Sequence, residues 1–443
     1  MPAVASADHG ARPHTPNLQA LGHAPFPATF LGQPDGVRKP NSDLAFWGDL
    51  VFHGNYDGFR IIRSSNLEVI SHPSCNGDQG DIVVWRNIVV RAWNSKKTEA
   101  RMCDGQVVPA GFEGVHVFDI SNLRDPQLVA QVELPCGSHT LTLAPDLHNE
   151  RVIVYSNNSS GSGCTGGPEN GDFIDVIEVP VDDPSHSELL RREPLSGSPV
   201  TAVTPGCHDM GVIMGKVNLA ACASADATNV YDVGRNQHPG GSLDNPRFLY
   251  AIVEPGVGQA GTNGRWHSAA FTWDGEVLVL GWEPGGGAEP ECQSTDPDVD
   301  KSAFFYDAHT GAKLGQWTLP RPQDGAAENC TIHNYNIVPL KDRRYVMVGG
   351  HYQAGTWVVD FTNPAAARTV AWSDPPALTP ADLGGAWSSY WYNDRIYESE
   401  ITKGLNVFRL DDRVVKHAIR LRHLNPQTQE FSLGGRKGHG HHH

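Results

Sequence analysis

Positive charge is scarce in this sequence: 34 Lys and Arg stand against 50 Asp and Glu, a formal net charge of −16 over 443 residues. Basic residues never cluster beyond short groups such as Arg191–Arg192. A nucleic-acid surface needs clustered cations to neutralise phosphates, so no nucleic-acid partner is expected. Apolar runs of about 18 residues are missing too, which excludes a membrane-crossing helix. The start, Met1-Pro-Ala-Val-Ala-Ser-Ala-Asp8, lacks a basic segment followed by an apolar one and resembles what remains after a signal peptide is trimmed. Three common catalytic motifs are missing as well: the Gly-x-Ser-x-Gly elbow, the phosphate-cradling Gly-x-x-x-x-Gly-Lys and a Gly-x-Gly-x-x-Gly between strand and helix. Gly285-Gly-Gly287 follows a strand pattern with no helix pattern after it and is a turn.

What is abundant is turn chemistry. The 47 glycines and 32 prolines suit many short strands joined by tight connections. One alternating pattern, Gly-x-x-Val-x-Asp in flavour, recurs at 58–63, 114–119, 173–178, 228–232, 302–307, 356–360 and 404–409. After most copies comes another strand-like segment ending at Pro: 67–73, 127–135, 188–194, 247–255, 313–320 and 368–375. The seventh copy has none, but Asn17–Pro25 is of the same type. The reading is an all-β, single seven-bladed β-propeller whose last blade is closed by the N-terminal strand. It spans 17–412, with a flexible arm at 1–16 and a polar C-terminal tail at 413–443 ending in tag-like histidines.

The third-strand motifs, clearest in Trp357-Val-Val-Asp-Phe-Thr-Asn-Pro364, resemble the LVIVD-repeat family of secreted bacterial β-propellers. Trp266–Gly275, Cys330–Asn336 and Trp387–Asn393 strengthen the likeness. It extends from about residue 17 to 410. The resemblance implies the propeller fold and an extracellular setting, and it implies no particular chemistry.

On the propeller template, His139, His208, His267 and His333 each open the innermost strand of successive blades. They should therefore converge at one mouth of the central channel. Neutral imidazoles can share a cation without accumulating charge, so a zinc, copper or iron site is expected there. The other blades offer Asn41-Ser-Asp43, Asp78-Gln-Gly-Asp81 and Ala386-Trp-Ser388, which leave an open side of the kind a catalytic metal needs. Ends of second strands meet the same face and bring Asn55, Tyr56, Asn94, Asn157, Asn158, Glu283, His351, Glu398 and Glu400. Glu283 or Glu400 is the candidate general base and His351 a substrate-facing residue, while Trp282, Trp387 and Tyr352 would line a pocket. Two functions follow: a secreted metal-dependent enzyme acting on a small molecule, or a non-catalytic extracellular propeller that binds a polymer or protein on the same face. The structural alternative for the histidines is hydrogen bonding between neighbouring blades.

Eight cysteines, an even number, point to an oxidising compartment. The template pairs Cys103–Cys136, Cys164–Cys207 and Cys292–Cys330 as staples between blades, leaving Cys75 and Cys222 unpaired. The competing local pair is Cys207–Cys222.

Overall fold

Every alternating copy folds as the third strand of a four-stranded antiparallel unit, because period-2 patterning and β-branched side chains suit a sheet packed on both faces. The computed structural model describes residues 12–26, 40–75, 79–93, 97–158, 173–195, 206–224, 227–234, 240–257, 264–323, 328–378 and 383–433. The chain is all-β with a propeller-like arrangement. Inner strands are Asn41–Trp47, Ile82–Trp85, Thr140–Asp146, Cys207–Ile213, Gly264–Phe271, Asn334–Ile337 and Ala386–Tyr392. An eight-stranded sheet contains both of the last two, which meet in a short parallel pairing of Asn334 with Ser388. Turns obey local chemistry: Asn393 and Asp394, both at positive φ, form the two-residue link between Ala386–Tyr392 and Arg395–Glu400. Neighbouring units bury large side chains face to face, as in the Phe305–Phe361 stack at 4.5 Å and the fully buried Trp266, Trp282 and Trp357.

The N-terminal strand Leu18–Pro25 pairs antiparallel with Gly404–Leu410, Leu18 opposite Leu410. Within the stretch expected as an arm, Arg12 is buried and donates to Glu398 at 2.6 and 2.9 Å. The stretch after 412 also packs. Its short strands His423–Leu424 and Thr428–Gln429 pair with Asn41–Trp47 and with Cys207–Ile213. Between them, Asn425 exchanges two hydrogen bonds with Val84, and Thr428 donates to the Leu143 carbonyl. The segment thus crosses the channel at the end opposite the histidines. Two-residue pairings carry no periodicity, so the sequence pattern shows only a polar stretch.

The cysteines correct the staple scheme in part. Cys292–Cys330 forms as expected. Cys103 bonds Cys75, not Cys136, because the hairpin Arg101–Cys103/Gln106–Val108 folds back to pair Cys103 with Cys75. Cys207 bonds Cys222, not Cys164, across two adjacent strands of one unit, so this link leaves the strand assignment intact. Cys75 and Cys222 are therefore not free. Cys136 is disulfide-bonded. Cys164, Asn94 and the terminal histidines lie outside the described residues.

Below the histidines the channel holds three buried carboxylates, Asp43, Asp81 and Asp209. Gln427, from the C-terminal crossing, donates to Asp43 at 3.0 Å. Burial first, and then the nearby Asp81 and Asp43, push the Asp209 carboxyl well above its ordinary value. A carboxyl raised in the folded state contributes stability that is complete below the unfolded pKa near 4 and is lost as pH rises toward the folded value. Asp209→Asn removes that loss. Its melting temperature relative to the parent should climb as pH rises above 4 in calorimetry, and a pH-independent difference would contradict this.

Candidate metal centre

A β-bulge starts the site. The pairing of Cys207–Ile213 with its neighbour slips between Cys207 and Asp209, and that of Gly264–Phe271 slips between Trp266 and Ser268. His208 and His267 are the residues left over. A third slip, between Ala386 and Ser388, leaves Trp387. Bulges re-aim side chains that a regular pleat would send elsewhere. His139 and His333 immediately precede their strands Thr140–Asp146 and Asn334–Ile337.

The four expected histidines do converge. Ring centroids run 4.8 Å from His139 to His208, 3.9 Å to His267 and 4.1 Å to His333, and Trp387 continues the row at 4.6 Å. They line a cavity of about 200 Å³ together with Glu283, Tyr352, Tyr56, Gln79 and Arg265. His208 directs Nδ1 to the His267 carbonyl at 3.1 Å, and His333 directs Nδ1 to the Trp387 carbonyl at 2.5 Å. A carbonyl only accepts, so each Nδ1 carries the proton and each Nε2 keeps its lone pair. The Nε2 atoms of His267 and His333 both stand 3.8 Å from Glu283 Oε1, which also accepts the Tyr352 hydroxyl at 2.7 Å.

Burial pushes His208 and His267 well below the ordinary imidazole value, and their neighbours add to it: His267 beside His208, His139 beside His267. Burial likewise takes His139 and His333 down to about 3, with Arg265 and His267 respectively as the next causes. The rings are thus neutral at pH 7, and the 3.8 Å contacts to Glu283 are not ion pairs. Neutral imidazoles and a carboxylate are the donor set zinc, copper and iron take. Ligand atoms of His208, His267 and Glu283 lie within 4.8 Å of one another. Ligands around a tetrahedral ion at ~2.1 Å sit about 3.4 Å apart, so closures of about 0.4 Å to about 1.4 Å bring the pairs into range.

Glu400 and His351 are not among the lining residues. Glu400 is buried and accepts from the Gly385 and Thr402 amides and the Thr402 hydroxyl. His351 turns into the packing between units, edge-on to Trp317 at 5.5 Å. Glu283 does line the cavity, in ligand position more than as a free base. Trp387, Tyr352 and Tyr56 line it as expected, whereas Trp282 packs on Trp266. Arg265 carries no role in the sequence reading, and Gln79 enters it only within the channel-facing stretch Asp78-Gln-Gly-Asp81. Periodicity does not flag them: the bulge at His267 breaks the alternation after Arg265, and Gln79 precedes its strand, which begins at Ile82.

No protein-family model matches the sequence, and no curated protein matches it. Among solved structures, the computationally designed Ika8 protein aligns at 13% identity and TM-score 0.45, covering 85% of each chain. The Dos1 propeller aligns at 9% identity and TM-score 0.47, covering 84% of this chain and 78% of its own. Chaetomium thermophilum Raptor aligns at 9% identity and TM-score 0.49, covering 84% of this chain, which spans 28% of that longer one.

In metal-stripped protein at pH 6, nitrogen-15 NMR should find His208 and His333 as neutral Nδ1–H tautomers. Imidazolium shifts for either ring would contradict the site's electrostatics.

Proposed function

We propose that this chain is a secreted, seven-bladed propeller of the LVIVD-repeat type that binds one transition-metal ion (zinc, copper or iron) and acts as a metal-dependent enzyme on a small molecule entering at the histidine face. His208, His267, His333 and Glu283 are the ligands, with His139 at the edge of the group. The carrying observation is the fixed tautomer: Nδ1 of His208 and His333 is spent on backbone carbonyls, which leaves Nε2 as the donor atom. When bound, the ion supplies a Lewis acid or a redox centre. The protein's own residues do the rest. Tyr352 holds Glu283 against the histidines, and Trp387, Tyr56, Gln79 and Arg265 complete the cavity lining that a ligand would meet.

Seven blades is supported by the make-up of the eight-stranded sheet, which divides into two four-stranded meanders, each with its own third-strand motif. Secretion is supported by the disulfides at Cys75–Cys103, Cys207–Cys222 and Cys292–Cys330. A second reading, a non-catalytic binding propeller, draws on the same Nδ1 bonds, since they also tie neighbouring inner strands together.

Elemental analysis of untagged protein separates the two. The metal reading expects near-stoichiometric zinc, copper or iron that disappears in the His208→Ala/His267→Ala variant. Protein that stays metal-free after exposure to each ion would overturn it and leave the binding propeller.

A further inference from the structure

The cavity has a charge pattern at odds with the chain that builds it. The whole sequence carries −16, yet among the described residues the cavity lining sets one carboxylate, Glu283, against one guanidinium, Arg265, beside four neutral imidazoles. Arg265 stands directly across the strand pair from Glu283. Its charge reaches three of the histidines, His139, His208 and His267, and opposes their protonation. A divalent ion on the histidines would raise the local sum to about +2, in a partly desolvated pocket where such charge is focused.

Resting on the metal reading above, we infer that the site takes a small carboxylate, recognised jointly by the open face of the ion and by the Arg265 guanidinium. The planar fork of arginine matches the two oxygens of a carboxylate, which a point cation does not. The rest of the lining suits the remainder of such a molecule. Trp387 and Leu383 offer apolar surface, and Tyr56 and Gln79 offer polar groups. A cavity of about 200 Å³ has room for several waters and so for a small organic acid.

The test loads untagged protein with Co2+, fixes the metal content by elemental analysis, and titrates benzoate and its neutral counterpart benzamide while following the visible bands of the ion. Benzoate should shift the bands and benzamide should not. Arg265→Gln should keep its cobalt and weaken benzoate about tenfold or more, the loss expected for a charge-assisted hydrogen bond. Arg265→Lys should recover part of it and guards against a misfolded Gln variant. Cobalt bound, with benzoate and benzamide equivalent or with Arg265→Gln unchanged in benzoate affinity, overturns the carboxylate inference alone. Absence of cobalt from the parent protein overturns the metal reading beneath it.

Discussion

The structure depends on a run of hydrogen bonds that passes around the channel from each four-stranded unit to the next. Thr140 donates to the His208 carbonyl, His208 to that of His267, Ser268 to that of His333, and His333 to that of Trp387. Ser399 continues to the Ser42 carbonyl, Ser42 to that of Gly80, and Asp81 accepts the Leu141 amide. Each bond contributes only about 1 kcal/mol, but together they fix how neighbouring sheets are placed. Two of the donors are channel histidines. The bond that joins units and the bond that sets an imidazole's tautomer are therefore one and the same, so ring closure itself decides which nitrogen of His208 and His333 keeps its lone pair.

Much of this was legible in the sequence, and the rest was hidden for identifiable reasons. Alternation exposed every third strand, and the odd placement of Asn17–Pro25 foretold its pairing with Gly404–Leu410. The histidines were legible because they occupy matching positions before or at the start of inner strands. Arg265 was hidden because it precedes the bulge at His267, where alternation breaks, and has no counterpart beside the other channel histidines. Glu400 and His351 were misplaced because a strand end fixes height along the channel but not the direction of a side chain. The disulfides failed where an unforeseen hairpin, Arg101–Val108, moved Cys103, and where a bulge at His208 brought Cys207 across to Cys222.

The C-terminal crossing gives the channel two unlike ends. At one end, segment 423–433 lays Asn425, Gln427 and Thr428 against four inner strands and seals the base. At the other, the histidine cavity opens. Between them lie Asp43, Asp81 and Asp209, whose raised affinity for protons opposes folding as pH rises above about 4. The depressed histidines act in the reverse sense: their contribution is present above about 6.5 and is lost as pH falls toward the folded value near 3. A channel built this way trades stability for a polar, charge-bearing interior directly beneath its site.

The central claim is that one ion sits among His208, His267, His333 and Glu283. Anomalous diffraction at the absorption edge of the bound metal tests it most directly. The account predicts a single strong peak at about 2.0–2.2 Å from the Nε2 atoms and the Glu283 carboxylate. A map without a peak in the cavity, from protein supplied with zinc, copper and iron in turn, would contradict it.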